Sequence, residues 1–168
     1  VSGNASPAAE ANVINDPEAA DIVFGADCPM VMVGLDVTHT VNMTAADLAR
    51  AAAITGARAE HLARIVPFYA DFYRDRYGLD GIFVHDSTTI SYMIAPHLFG
   101  WKELPVRVDT GHSVCRGKTL ASGAGSDHEG AWHGRRPVRI LTEVDVRGVV
   151  ELELRSEEHT SELQSRGL

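Results

Sequence analysis

Four short runs rich in β-branched residues constrain the fold of this chain more than any other feature. They are VMVGLDV (Val31 to Val37), GIFVHD (Gly81 to Asp86), VRVD (Val106 to Asp109) and the stretch from Val138 to Leu141. Runs this short and apolar suit strands, and VMVGLDV reads as one buried on both faces. Helical patterns lie between them, closed by Gly or opened by Asp and Thr. Strands that alternate with helices predict an α/β class, with a Rossmann-like, mixed but mostly parallel sheet flanked by helices. Ligands gather at the carboxyl ends of strands in such sheets. Asp86, at the end of its run, is therefore placed where chemistry concentrates.

The helices announce themselves by their ends. Asp16-Pro17-Glu18 supplies an N-cap, a proline tolerated at the first position and an acid for the positive end of the dipole, and Gly25 closes that helix. Thr44 and Asp47 have capping-box spacing and open a helix from Ala45 to Thr55, stopped by Gly56. The longest helix is expected from Ala57 to Tyr77, with Leu62, Ile65, Val66, Tyr69, Phe72 and Tyr73 on one apolar stripe. Further helices are expected from Ser87 to His97 and near Val146 to Leu154, and the stretch between Leu120 and Pro137 reads as a surface loop.

With 168 residues the chain fits one domain or a large piece of one, and 45% hydrophobic with 23% charged residues is ordinary for a globular protein. A formal charge of −8 argues against nucleic acid or an anionic membrane as a partner. No apolar run approaches the ~18 residues of a membrane span. Cys28 and Cys115 are isolated, which favours reduced thiols in a cytoplasmic protein over a disulfide framework. The amino terminus has neither an initiating Met nor a signal-peptide pattern, and it reads as internal to a longer protein.

Residues Arg155 to Leu168, RSEEHTSELQSRGL, differ from everything before them, with two aliphatic side chains and no core-facing stripe. RSEEHTSELQS matches the translation of a common sequencing adapter. The expected division is therefore 1–154 as natural protein and 155–168 as a non-native tail.

The most informative stretch is GNASPAAEANVINDPEAA, from Gly3 to Ala20. Asn4, Glu10 and Asn12 supply the carboxylate and amide groups that hold vicinal hydroxyls well. Together with GLDVTHTVNMT (Gly34 to Thr44), GIFVHDSTTISYMIAPHLF (Gly81 to Phe99) and VRVDTGHSVCRGKT (Val106 to Thr119), this stretch resembles the nucleoside hydrolase family. The resemblance covers nearly all of residues 1–154 and is nearest to uridine or inosine-uridine type enzymes. It implies calcium-dependent hydrolysis of ribonucleosides to ribose and free base, with a small-molecule nucleoside as partner and a dimeric or tetrameric whole enzyme. It also implies that Asn4, Glu10 and Asn12 bind the ribose, that Asp86 ligates calcium and that His85 assists the departing base. Tyr69 and Tyr73 would lie beside the base. Calcium takes hard oxygens, and imidazole can pass a proton near neutral pH, so both assignments are chemically sound.

There are departures. Ser87 stands where the family usually has Pro, which should alter how the helix begins more than the chemistry. The family's D-x-D-P-G-x-D-D cluster, which holds most of the calcium and the base for the attacking water, is not found here. The chain thus reads as the carboxyl-terminal half of such an enzyme, incomplete for catalysis by itself. The alternative is a non-catalytic nucleoside-binding or interaction protein. Arg116-Gly117-Lys118-Thr119 reads as a structural turn, since the strand–glycine-loop–helix context of a phosphate loop is missing. Asp127, His128, Glu129 and His133 fit no zinc spacing and read as a solvated loop; His39, His61, His97 and His112 read as structural or surface residues.

Overall fold

A computed structural model describes residues 2–54, 57–123 and 130–165. In chain order the elements are α1 (Ala11–Asn15), α2 (Pro17–Phe24), β1 (Val31–Met32), α3 (Leu35–Thr38), β2 (Asn42–Thr44), α4 (Ala45–Ala52), α5 (Ala57–Tyr77), β3 (Gly81–Phe83) and α6 (His85–Ile94). A 3-10 turn (Pro96–Leu98) leads to β4 (Phe99–Val108) and β5 (Thr119–Ala121). A second such turn (Gly130–Trp132) precedes β6 (Pro137–Val144) and α7 (Val146–Ser165). The α/β class is as expected. The chain divides into two compact units, one of Val1–Asp36 with Gly100–Glu143 and one of Val37–Phe99 with Val144–Leu168.

The first unit is built on a mixed sheet in the order β1-β6-β4-β5. β1 runs parallel to β6, with Val31 opposite Arg139, and β4 runs antiparallel to β5, with Val106 opposite Ala121. Val106, Val138 and Ile140 are buried on it, and Phe24, Met30, Met32 and Leu104 pack against them. Each such aliphatic side chain contributes roughly 2 kcal/mol by leaving water. α2 forms as its ends dictate: the Asp16 carboxylate accepts from the Ala19 amide at 2.9 Å, and the Gly25 amide donates to the Asp21 carbonyl at 3.2 Å.

The run at residues 31–37 does not form the doubly buried strand expected of it. β1 has two residues, lies at the sheet edge and leaves Val31 41% exposed. Beyond Gly34 the chain coils into α3, which buries Val37 and Thr38. An apolar run of this length suits a buried helical turn as well as a strand, and burial decided between them.

In the second unit β2 and β3 pair antiparallel, with Asn42 opposite Phe83 and Thr44 opposite Gly81. α4 and α5 pack on each other, α4 on β2 and α5 on β3, while α7 packs on α4, α6 and β2. Val37, Val41, Met43, Tyr73, Val149, Val150 and Leu154 are buried. The expected capping box is present: Thr44 accepts from the Asp47 amide at 3.2 Å, and the Asp47 carboxylate accepts from the Thr44 amide at 3.1 Å. The same carboxylate accepts from Arg147 at 3.0 Å, and Glu151 pairs with both Arg50 (2.7 Å) and Arg147 (2.9 Å).

Three further expectations need correction. The stripe on α5 is not a buried face, because Ile65, Tyr69 and Phe72 are about half exposed, and only Tyr73 among the named residues is buried. Periodicity reports which residues share a face, not whether anything covers it. Asp86 is not at a strand end. The ladder stops at Phe83, the Val84 amide donates to the Val41 carbonyl at 3.2 Å, and α6 begins at His85. Asp86 therefore sits in the first turn of a helix, where the dipole favours an acid. Finally, α7 runs on to Ser165, well past the stretch expected to end at Leu154. Asp127, His128 and Glu129 lie outside the described residues, and His133 is exposed.

Candidate functional site

The residues read as a ribose set all lie in the first unit, on the loop that leads into α1. That loop is bonded to itself. The Gly3 amide donates to the Pro7 carbonyl at 3.3 Å, the Ala5 and Ser6 amides donate to the Ala9 carbonyl, and the Ser6 hydroxyl accepts from the Ala8 and Ala9 amides. Gly3 is required here, since a Cβ on it would fall onto the Ala9 backbone. Asn4 Oδ1 accepts from the Ala11 amide at 2.8 Å. Glu10 is the N-cap of α1: its carboxylate accepts from the Asn12 amide at 2.9 and 3.0 Å and from the Val13 amide at 3.1 Å. Asn12 is exposed on the first turn.

Capping fixes the geometry of Asn4 and Glu10 without using up their capacity. A carboxylate offers about four acceptor sites and an amide side chain both accepts and donates, so each can bond a hydroxyl as well. The loop is thus a prearranged polar patch, with Asn4 and Glu10 partly buried and Asn12 at the surface.

Asp21 anchors α2, the helix that follows α1 in the chain. Its carboxylate accepts from Arg107 at 2.9 and 3.1 Å, from the Val108 amide at 2.9 Å and from Arg135. Partial burial pushes the Asp21 carboxyl up, but the Arg107 hydrogen bond, the Val108 amide and the charges of Arg135 and Arg107 outweigh it and hold it below the ordinary carboxylate value. Arg116 of the RGKT turn pairs with Glu18 at 2.7 Å. Gly117 adopts φ +82° there and donates to the Asp109 carbonyl at 2.7 Å, which bears out the structural-turn reading. Trp101 is engaged by Arg139, whose guanidinium lies 4.3 Å above its ring.

The residues read as a base and metal set all lie in the second unit. His85 opens α6, and its Nδ1 is 2.8 Å from the Thr38 hydroxyl. Its ring lies 5.8 Å from Phe83 and 5.4 Å from His39, centroid to centroid. Phe83 in turn meets Tyr73 edge-on at 5.4 Å, and Tyr73 lies 5.4 Å from Tyr69 and is stacked on Tyr77 at 5.6 Å. His85, Tyr73 and Tyr69 therefore belong to one continuous ring cluster. Burial pushes the Tyr73 hydroxyl up to about 12, helped by Tyr69, Tyr77 and the negative charge of Asp86. Tyr73 is thus a neutral donor and acceptor at any physiological pH.

Sequence reading passed over Thr38, His39, Tyr77 and Phe83 as parts of this cluster. Tyr77 was within reach, because Tyr69, Tyr73 and Tyr77 repeat at every fourth residue. Thr38 and His39 had no such signal; only pairing of β2 with β3 brings the end of α3 beside His85. Ser87 also gains a role: it and Ser91 hydrogen-bond Glu153 of α7, whose carboxyl is raised by burial and partly restored by these hydroxyls. Proline at 87 could not make that bond.

The donor set for a metal is thin. Asp86 is exposed, and among the described residues no group of three His, Cys, Asp or Glu side chains could hold an ion. One carboxylate does not make the shell of about six to eight oxygens that calcium takes. The residues described here do not by themselves fit a calcium ion.

Residues 1–151 match the family described as inosine-uridine preferring nucleoside hydrolase. The chain belongs to that family. It is 39% identical over 154 residues to a probable uridine nucleosidase of Arabidopsis thaliana, covering 90% of this chain and 48% of that protein. It is 35% identical over 151 residues to a pyrimidine-specific ribonucleoside hydrolase of Shewanella woodyi, covering 89% and 47%. The solved structure of a plant nucleoside hydrolase matches with a TM-score of 0.88 at 34% identity, over 94% of this chain and 50% of that one. The chain therefore spans about half the length of the curated relatives it matches. No helix among the described residues is long and apolar enough to cross a membrane.

Proposed function

We propose that the whole protein hydrolyses the N-glycosidic bond of ribonucleosides, with uridine and inosine favoured, to ribose and free base. The observation that carries this is the placement of His85 within a family match that runs from residue 1 to 151. The imidazole opens a helix beside Asp86 and is held by a buried hydroxyl within a cluster that includes both tyrosines read as base neighbours.

The roles follow from chemistry. Asn4, Glu10 and Asn12 grip the ribose hydroxyls, which steadies a sugar that acquires oxocarbenium character as the bond breaks. His85 meets the charge that develops on the departing base, and Tyr69 and Tyr73 border that base. Residues 1–154 form the carboxyl-terminal half of the hydrolase domain, and 155–168 are a non-native tail. Asp86 contributes one ligand to a calcium ion whose remaining ligands come from outside the residues described here. The whole protein is a cytoplasmic dimer or tetramer that takes a small-molecule nucleoside, with neither nucleic acid nor membrane as partner.

The test is reducing-sugar release from uridine, inosine, cytidine and adenosine by the whole protein, with and without calcium chelation. His85→Ala should lower kcat by roughly 10²-fold or more, the usual contribution of such a group. Full turnover by His85→Ala on every nucleoside would remove its role, and binding without any turnover would favour a nucleoside-binding protein.

A further inference from the structure

Thr38 ends α3 with 3% of its surface exposed, and its hydroxyl lies 2.8 Å from His85 Nδ1. Among the described residues that is the single hydrogen bond made by the Thr38 side chain. A hydroxyl and an imidazole nitrogen can bond in either direction. If Nδ1–H donated, the buried Thr38 hydroxyl proton would be left without an acceptor, a situation folded proteins avoid. If the hydroxyl donates, its proton is met and Nδ1 is the acceptor. The direction of one bond then fixes the tautomer of the ring, because a neutral imidazole carries a single N–H.

We infer that Thr38 is a positioning residue for His85: its hydroxyl donates to Nδ1 and holds the neutral ring as the Nε2–H tautomer. Phe83 and His39 hold the same ring by contact, at 5.8 and 5.4 Å. Nε2 is then the nitrogen that offers an N–H to negative charge growing on a departing base. No bond need form or break at His85 for that, since a fixed neutral donor stabilises developing charge by itself. The functional part of this inference rests on the reading of His85 given above; the tautomer does not.

The test uses the whole protein, labelled with ¹⁵N, and long-range proton–nitrogen correlation of the His85 ring at pH 8.5, about two units above the ordinary imidazole value. His85→Gln assigns the signals by removing them. Wild type should show an unprotonated Nδ1 and a protonated Nε2. Thr38→Val keeps the shape and removes the hydroxyl, and should lower the ratio of Nε2–H to Nδ1–H about fivefold, the bias of one net hydrogen bond. Thr38→Ser should restore it. A predominantly Nδ1–H ring in wild type overturns the inference, and so does an unchanged ratio in folded Thr38→Val. Where Thr38→Val does not fold, the wild-type spectrum and Thr38→Ser decide, since both must show the Nε2–H form. Full turnover by His85→Ala would remove the functional reading and leave the tautomer standing, so the two failures are distinguishable.

Discussion

The polar loop before α1 in the first unit and the ring cluster of the second fix their side chains by opposite means. In the loop, Asn4 and Glu10 are held by backbone amides within seven residues of themselves, and Asp21 anchors the following helix through two guanidinium groups. In the cluster, His85 and Tyr73 lie among rings, and a polar tether on His85 comes from Thr38, 47 residues away in sequence. Local capping gives a site whose geometry survives changes elsewhere. Ring packing gives a site that exists only when distant segments have met.

That contrast can be broken experimentally. The largest effect is expected from Tyr73→Ala, which empties the middle of the ring cluster and should cost about 4 kcal/mol of stability, the range for buried aromatics. Chemical denaturation measures it, and a loss below about 1 kcal/mol would mean the rings are not what holds His85. Asp21→Ala should cost about 3 kcal/mol in the same assay, because it leaves Arg107 and Arg135 facing each other without their shared carboxylate.

Acid provides a second handle on the same group. The Asp21 carboxyl is held below its ordinary value of 3.8 in the folded state, as is Asp47, where burial is outweighed by the Thr44 hydroxyl and Arg147. Their stabilisation is present above about pH 4 and lost as pH falls through the lower folded values. An acid titration of stability should therefore show a steep loss below pH 4, and Asp21→Asn should flatten it.

Smaller effects sharpen the comparison within the loop. Glu10→Ala removes the N-cap of α1 and should cost about 1 kcal/mol of stability, in addition to raising KM for the proposed hydrolysis in the whole protein. Asn12→Ala, at an exposed site, should change stability by less than about 0.5 kcal/mol while still raising KM. Equal KM for Asn12→Ala and wild type would take it out of the ribose set.

Legibility followed the same division. α2 and the capping box of α4 were readable because their determinants are adjacent in sequence: Asp16 with Pro17, and Thr44 with Asp47. β2 and β5 were not, since each is three residues long and becomes a strand only by pairing, β2 with the distant β3 and β5 with the preceding β4. The motif GNASPAAEAN pointed to its polar set directly, and the structure places Asn4 and Glu10 in one self-bonded loop. GIFVHD pointed to His85 and Asp86 but to the wrong element, because a ladder with a three-residue partner ended sooner than the apolar run.

What the sequence determined by itself is therefore everything written over short separations: the α/β class, the capped helix ends and the family. Such features depend on hydrogen bonds between near neighbours, whose partners are named by the order of residues. Tertiary structure alone decided that the run after Gly34 turns into a helix, that most of the α5 stripe stays open, and that Thr38 and His39 meet His85. Those outcomes depend on which surfaces bury one another, and burial is a property of segments brought together, which no single stretch of the chain encodes.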